Sequence, residues 1–307
     1  MYCTSTGQSG PKASGCLHPA AGCVIVNCQN DVNPAGRGGG KDLLSEMLGL
    51  IFLVCFAASV VGAVCGIGGG VIMKPVLDAF GFASVSTISF LSGCTVLAMS
   101  AYSIGKTVLA GESEIEYRTA TPLAIGAAVG GVIGKQLFTL VKNSSSNPDF
   151  VGTVQSAALA VVTLGALLYT VNRARIRPHQ LNGAAPAAGI GTILGILSSF
   201  LGIGGGPINL PVLHYFFSME TKTAAQNSLY TILFSQAASL VATLVTGTVP
   251  EFQLPWMAVM VAGGMLGGMG GRVLNRRLSG EQVTRLFIGL MLVIVGICLY
   301  NAVRFTA

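Results

Sequence analysis

Apolar residues fall in continuous runs near Leu43–Cys65, Val85–Ile104, Thr119–Val141, Val151–Val171, Ala184–Leu201, Ala224–Thr246, Pro255–Gly271 and Leu286–Val303. At roughly 1.5 Å rise per helical residue, each run matches a hydrocarbon core about 30 Å thick. The runs are continuous and do not alternate every second residue, which selects helices over a porin-like barrel. The pattern predicts an all-α polytopic transmembrane bundle of about eight hydrophobic segments.

Those segments form two copies of one unit. CGIGGGVIMKPVL, from Cys65 to Leu77, matches LGIGGGPINLPVL, from Leu201 to Leu213, at nine of thirteen positions and an offset of 136. Downstream, Gly126, Gly130 and Gly134 correspond to Gly263, Gly267 and Gly271 at offset 137, and Lys135 then matches Arg272. A duplicated four-segment unit accounts for both echoes. The organisation expected is a disordered N-terminal tail over 1–42, a first transmembrane repeat over 43–172, a basic cytoplasmic linker over 173–183 and a second repeat over 184–307.

The linker carries Arg173, Arg175, Arg177 and His179, and the stretch after the seventh segment carries Arg272, Arg276, Arg277 and Arg285. The positive-inside rule assigns both to the cytoplasm. Four full crossings in the second half would place them on opposite sides. The conflict disappears if Ala184–Phe217 is a pair of helices broken at GIGGGP that returns to its starting side. Each half then holds three crossings and one broken pair, and the odd count predicts inverted repeats. The first half supports this less directly, because its inside loop mixes Lys106 and Arg118 with Glu112, Glu114 and Glu116.

Glycine costs about 1 kcal/mol relative to alanine in a helix interior, so four glycines in five residues should end the helix. New half-helices are expected to start near Val71 and near Pro207, since proline suits a first helical turn. Freed N–H groups and the positive end of a helix dipole favour an anion, and glycines let it approach the backbone. Irregular backbone at membrane depth must be lined by protein or by a water-filled cavity. Two matched breaks therefore predict a substrate site containing Gly68, Gly69 and Gly70 from one copy and Gly204, Gly205, Gly206 and Asn209 from the other. The competing reading is that the glycines only permit close packing.

Lys74, one turn into the first half-helix, would add positive charge, unless it snorkels or pairs with Asp78 at i+4. Its counterpart is Leu210. Thr87, Ser92, Gln226, Asn227 and Ser228 open the segments that follow the breaks and offer hydroxyls and amides to an oxyanion, although such groups also bond neighbouring helices. The glycine ladders read as helix packing, and Lys135 and Arg272 as interfacial anchors.

Composition narrows the function. Apolar residues make up 52% of the chain and charged residues 9%, too few charges to coat a soluble globule of 307 residues. The formal charge of +6 is spread over loops, so no nucleic-acid partner is expected. The tail has no apolar core of signal-peptide length. Cys3, Cys16, Cys23 and Cys28 lack CxxC spacing, and Cys55, Cys65, Cys94 and Cys298 lie within apolar runs, so neither a metal site nor a dithiol pair is expected. Lys and Ser/Thr do not follow Gly70, and Val71 and Pro207 stand where a dinucleotide fingerprint needs its last glycine, so ATP-driven chemistry has no basis.

The doubled GIGGGxxxxPVL element, with KTAAQNS over Lys222–Ser228 and the glycine ladders behind it, resembles the TauE/SafE family of membrane permeases over roughly Leu43 to Val303. The resemblance implies a multi-pass transporter, some members of which export sulfite or organosulfonates. It points to Gly68–Gly70, Pro75, Gly204–Gly206, Pro211, Asn227 and Ser228. The first-half partner of Asn227–Ser228 is Leu91–Ser92, so the implied site is asymmetric. The expectation is a non-enzymatic secondary transporter without catalytic residues, metal or cofactor, in the plasma membrane. Its partners are lipid, a small anionic substrate and a coupling proton or sodium ion, with a homo-oligomer left open. The competing functions are an anion channel on the same scaffold and a membrane-embedded thiol redox protein.

Overall fold

The computed structural model describes residues 39–144 and 148–306. The tail over 1–42, with its four cysteines, lies almost wholly outside the described residues.

Ten α-helices occupy the described chain: α1 (Gly39–Cys65), α2 (Gly70–Phe80), α3 (Val85–Leu109), α4 (Tyr117–Ser144), α5 (Pro148–Val171), α6 (Ala184–Leu201), α7 (Asn209–Phe217), α8 (Thr221–Val245), α9 (Leu254–Arg277) and α10 (Gly280–Thr306). Eight are long and apolar enough to cross a membrane, making this an integral multi-pass membrane protein. The exceptions are α2 and α7, at about 16 and 14 Å long by helical rise. Each follows a glycine break, and together with α1 or α6 forms a broken pair.

The two breaks share one backbone. Gly66 and Gly68 have φ of 68° and 74°, and Gly202 and Gly204 have 64° and 67°. These left-handed conformations stop α1 and α6 at corresponding residues, and only glycine adopts them without a Cβ penalty. The starts of the half-helices differ. Gly70 begins α2, whereas Pro207 precedes α7 by two residues: Asn209 N–H donates to the Gly206 carbonyl at 3.1 Å, a turn that delays the helix beyond the expected start. Pro75 and Pro211 lie inside their half-helices; Pro211, third in α7, has no intrahelical partner to lose, while Pro75 is sixth in α2. At the far end, Gly81 and Ser218 close α2 and α7 in the left-handed region.

Helices from the two halves interleave. Gly126, Gly130 and Gly134 of α4 lie against the carbonyls of Ala188, Thr192 and Ile196 of α6, so close that an added Cβ would overlap them. Gly263, Gly267 and Gly271 of α9 meet the carbonyls of Phe52, Phe56 and Val60 of α1 in the same way, and each of these α1 residues is the offset-136 counterpart of its α6 equivalent. Small residues let the backbones touch, giving dispersion contact where lipid offers no hydrophobic driving force.

Two corresponding pairs, α3 with α8 and α5 with α10, run in opposite directions. Thr87, at the start of α3, donates to the Glu251 carbonyl beyond the end of α8 at 3.0 Å, and Glu114, beyond the end of α3, donates its N–H to Gln226 at the start of α8 at 2.9 Å. Gly152 near the start of α5 packs on Phe305 at the end of α10. At one end of the bundle, Arg173 of the linker donates to His214 at 2.8 Å and to Thr221 at 2.9 Å, and Arg272 pairs with Glu112 at 3.0 Å. The linker, the α3–α4 loop and the start of α8 are thereby joined with the end of α9.

Candidate functional site: two glycine loops and a charged cavity

The two breaks meet at the centre of the bundle. A Cβ on Gly70 would overlap the Ile203 carbonyl, and one on Gly205 would overlap that of Ile67. Gly68 would press Val96 at 3.3 Å, Gly204 the same Val96 at 2.8 Å, and Gly69 the Ser59 hydroxyl at 2.8 Å. Gly206 differs: its nearest neighbour, Asn209 Oδ1, would stand at an ordinary 3.4 Å. Around the crossing Ile67, Ile203, Val96 and Ile232 are fully buried. Packing thus opposes a Cβ at four of the six glycines singled out in the sequence, and Gly68 is set by its φ of 74°.

Other expected residues gather at this crossing. Ser92 donates to the Gly202 carbonyl at 3.3 Å, and Asn209 Nδ2 donates to Ser228 at 3.1 Å, leaving Asn209 Oδ1 without a partner. Lys74 lies beside Gly202, buried and paired to Asp78 at 2.6 Å. Pro75 turns its carbonyl to Asn301, which donates at 2.8 Å. Three residues lie elsewhere. Thr87 sits at the far start of α3, within reach of Ser84 and Glu251. Asn227, fully buried, accepts from Glu116 N–H at 3.1 Å and donates to the Thr223 carbonyl at 2.7 Å, holding the α3–α4 loop. Gln226 holds the same loop and faces the cavity described next.

A cavity of about 320 Å³ opens at the arginine-bearing end of the bundle, walled by Lys222, Gln226, Arg272, Asn275, Arg276 and Glu112. Its inner wall includes Ala63 and Ala225, and Ala225 packs directly on Gly66, so Ala225 stands between the cavity and the first glycine loop. Glu112 receives both Arg272 and Arg276. With Glu114 also on the wall, three cations face two carboxylates, leaving one positive charge in excess. A mouth of this sign attracts small anions. Arg272 is here a cavity residue, not only an anchor at a membrane interface. The signal that could have found it was present: Lys135 and Arg272 occupy equivalent places in the repeats, as the glycine loops do.

Cys55, Cys65 and Cys298 are buried free thiols and Cys94 is a partly buried one. Among the described residues no three His, Cys, Asp or Glu side chains cluster as metal ligands.

Comparison with known proteins agrees with this architecture. "Probable membrane transporter protein YunE" of Bacillus subtilis is 25% identical over 270 residues, covering 81% of this chain and 94% of that protein. "Probable membrane transporter protein MamO" of Magnetospirillum gryphiswaldense is 25% identical over 283 residues, covering 81% of this chain and 44% of the longer relative. A Haemophilus influenzae "Probable membrane transporter protein" is 27% identical over 200 residues, covering 62% of this chain and 70% of that one. No solved structure matches. The model of the sulfite exporter TauE/SafE family matches residues 51–299, which take in both glycine breaks, both glycine ladders and every wall of the cavity, and the chain belongs to that family of membrane transporters.

Proposed function

We propose that the protein is a secondary transporter for a small sulfur oxyanion, sulfite or an organosulfonate, in the plasma membrane, coupled to a proton or sodium gradient. The observation that carries the reading is the cationic cavity whose wall at Ala225 backs onto the first glycine loop. Arg272, Arg276 and Lys222 draw the anion in, and polar backbone at the crossing is the surface it meets at membrane depth. The family supplies the substrate class.

A transporter fits better than a channel. The crossing is filled by Ile67, Ile203, Val96 and Ile232, so the cavity ends blind and passage requires the two halves to rearrange. Opposite directions of α3 and α8, and of α5 and α10, support inverted repeats, the arrangement in which such rearrangement exposes one site to each side in turn. The arginine-bearing end is assigned to the cytoplasm by the positive-inside rule.

Radiolabelled sulfite flux into proteoliposomes tests this, with sulfate and taurine as competitors. Saturable flux under a proton or sodium gradient, lowered at least about tenfold in Arg272→Gln, is expected for removal of one charged contact. Non-saturating, voltage-driven current would replace the transporter with a channel. Absence of sulfite flux under both gradients would remove sulfite as the substrate.

A further inference from the structure

The charged cavity has a counterpart at the opposite end of the bundle. Ser89, Gly93, Lys135, Phe138, Gln155 and Ser199 line a small pocket of about 20 Å³ against Gly202 of the second glycine loop. Position by position it repeats the open cavity: Ser199 stands for Ala63, Ser89 for Ala225, Ser239 for Ser103 and Thr243 for Thr107 at offset 136, and Lys135 for Arg272 at offset 137. The open cavity reaches Gly66 through Ala225, and the small pocket reaches Gly202 through Ser89. One mouth is open, and its structural equivalent is shut.

What shuts it is aromatic. Phe138 and Phe90 occupy the places held in the open cavity by Asn275 and Gln226, and both rings are buried. Lys135 rests its ammonium 5.1 Å from the centre of the Phe138 ring. The remaining space holds about one water, too little for a four-atom oxyanion. Yet the pocket contains polar atoms that nothing satisfies: the Ser89 and Ser199 hydroxyls and Gln155 Oε1 have no hydrogen-bond partner, on side chains more than nine-tenths buried. Gln155 is fixed by its Nε2, which donates to the Phe200 carbonyl at 2.6 Å, so Oε1 remains an acceptor. Buried groups left unpaired each cost about 1–3 kcal/mol and call for a ligand, a water or a second conformation.

We propose that this pocket is the second, alternately opened mouth of the path: a binding site for the substrate oxyanion in which Lys135 supplies the charge, Ser89 and Ser199 donate to it, and Gln155 accepts from a protonated oxygen or its water. The proposal rests on the transporter reading above. In the opposite state Phe138 and Phe90 withdraw while the Arg272 cavity closes, the two halves exchanging conformations. Substrate then leaves from Lys135 at the far face.

The test compares two matched variants, Ser103→Cys in the open cavity and Ser239→Cys in the closed pocket, each reconstituted in proteoliposomes. They react with a membrane-impermeant sulfonatoethyl methanethiosulfonate, with the unmodified protein as background for the native thiols. Without sulfite, Ser103→Cys should label at least about tenfold faster, and reversing a sulfite gradient should slow it and speed Ser239→Cys. Phe138→Ala, or Phe138→Leu where the smaller residue does not fold, should raise Ser239→Cys labelling at least about tenfold with no sulfite present. Lys135→Gln should raise the sulfite concentration that protects Ser239→Cys by about tenfold, and Lys135→Arg should restore it. If Ser239→Cys stays unlabelled under both gradients and in both Phe138 variants, with folded protein in hand, the pocket is a packing defect and the proposal falls. If the Phe138 variants open the pocket, and thiosulfate or taurine protects Ser239→Cys where sulfite does not, the pocket stands and only the sulfite assignment fails.

Discussion

The half-helices α2 and α7 stand at matching places in the repeated sequence, yet they are held by different chemistry. Both leave a glycine loop of the same backbone conformation and end in a left-handed residue. In α2, Lys74 and Asp78 form a buried ion pair, and Arg304 caps the carbonyls of Asp78 and Ala79. In α7 the corresponding residues are Leu210 and His214. His214 accepts from Arg173 and bonds Tyr169 at 2.9 Å, while the linker residues His179 and Leu181 donate their N–H groups to the Tyr215 and Phe216 carbonyls at 2.6 and 2.8 Å. The backbone break is what both copies keep, and the charges are what they have changed. A role common to both halves therefore belongs to the crossing, and whatever distinguishes the two faces of the protein belongs to the side chains.

The largest effect should come from the glycines at the crossing, where equivalent positions are not equally crowded. Gly70→Ala drives a methyl into the Ile203 carbonyl, whereas a methyl on its counterpart Gly206 meets ordinary contacts. Gly70→Ala should cost 3 kcal/mol or more, by rough analogy with overpacked cores, and Gly206→Ala less than about 1 kcal/mol. Thermal unfolding in detergent would check this; equal losses would mean that the two loops do not meet as described.

Next is the ion pair. Lys74→Met strands a buried carboxylate and should destabilise by about 3–5 kcal/mol, while the double variant Lys74→Met/Asp78→Leu should recover most of that loss. Leu210→Met in α7 should cost under about 1.5 kcal/mol. A double variant as unstable as the single one would show that Lys74 has a partner beyond Asp78.

The smallest effect expected is at the tether on α7. Arg173→Ala removes the hydrogen bonds to His214 and Thr221 and should cost about 1–2 kcal/mol, mostly as faster amide exchange at the end of α7 and the start of α8. Exchange that accelerates instead around α2 would overturn the separation of the two half-helices.

Much of this fold is legible in the chain because its signals are local. The spans follow from continuous apolar runs, and the breaks from glycine's cost in a helix, which identifies Gly66–Gly70 and Gly202–Gly206 to within a residue or two. The ladders on α4 and α9 were readable as packing faces, although not their partners, since nothing local pairs Gly126 with Ala188. The crossing itself could not be read: Ile67 and Gly205 are distant in sequence, and only tertiary contact makes Gly70 intolerant of a methyl while sparing Gly206. Asn227 illustrates the other difficulty. Its carboxamide suits an oxyanion equally well as it suits the backbone of Glu114 and Glu116, and sequence does not reveal which groups arrive first. The Arg272 cavity escaped because an arginine at a helix end has an adequate local explanation in the membrane interface.

The pairing of α1 with α9 and of α4 with α6 also bears on how the protein is made. When α1 leaves the ribosome its smooth face has no partner, because α9 begins roughly 190 residues later. At about 5–20 residues per second this is a wait of roughly 10–40 s. For that interval the face of α1 that meets Gly263, Gly267 and Gly271 has no protein against it, and the glycine loop beside it lacks the Ile203 backbone until the second break is made. The first half of the chain thus completes its packing only after the second half has been made, while α6 emerges to find α4 already waiting.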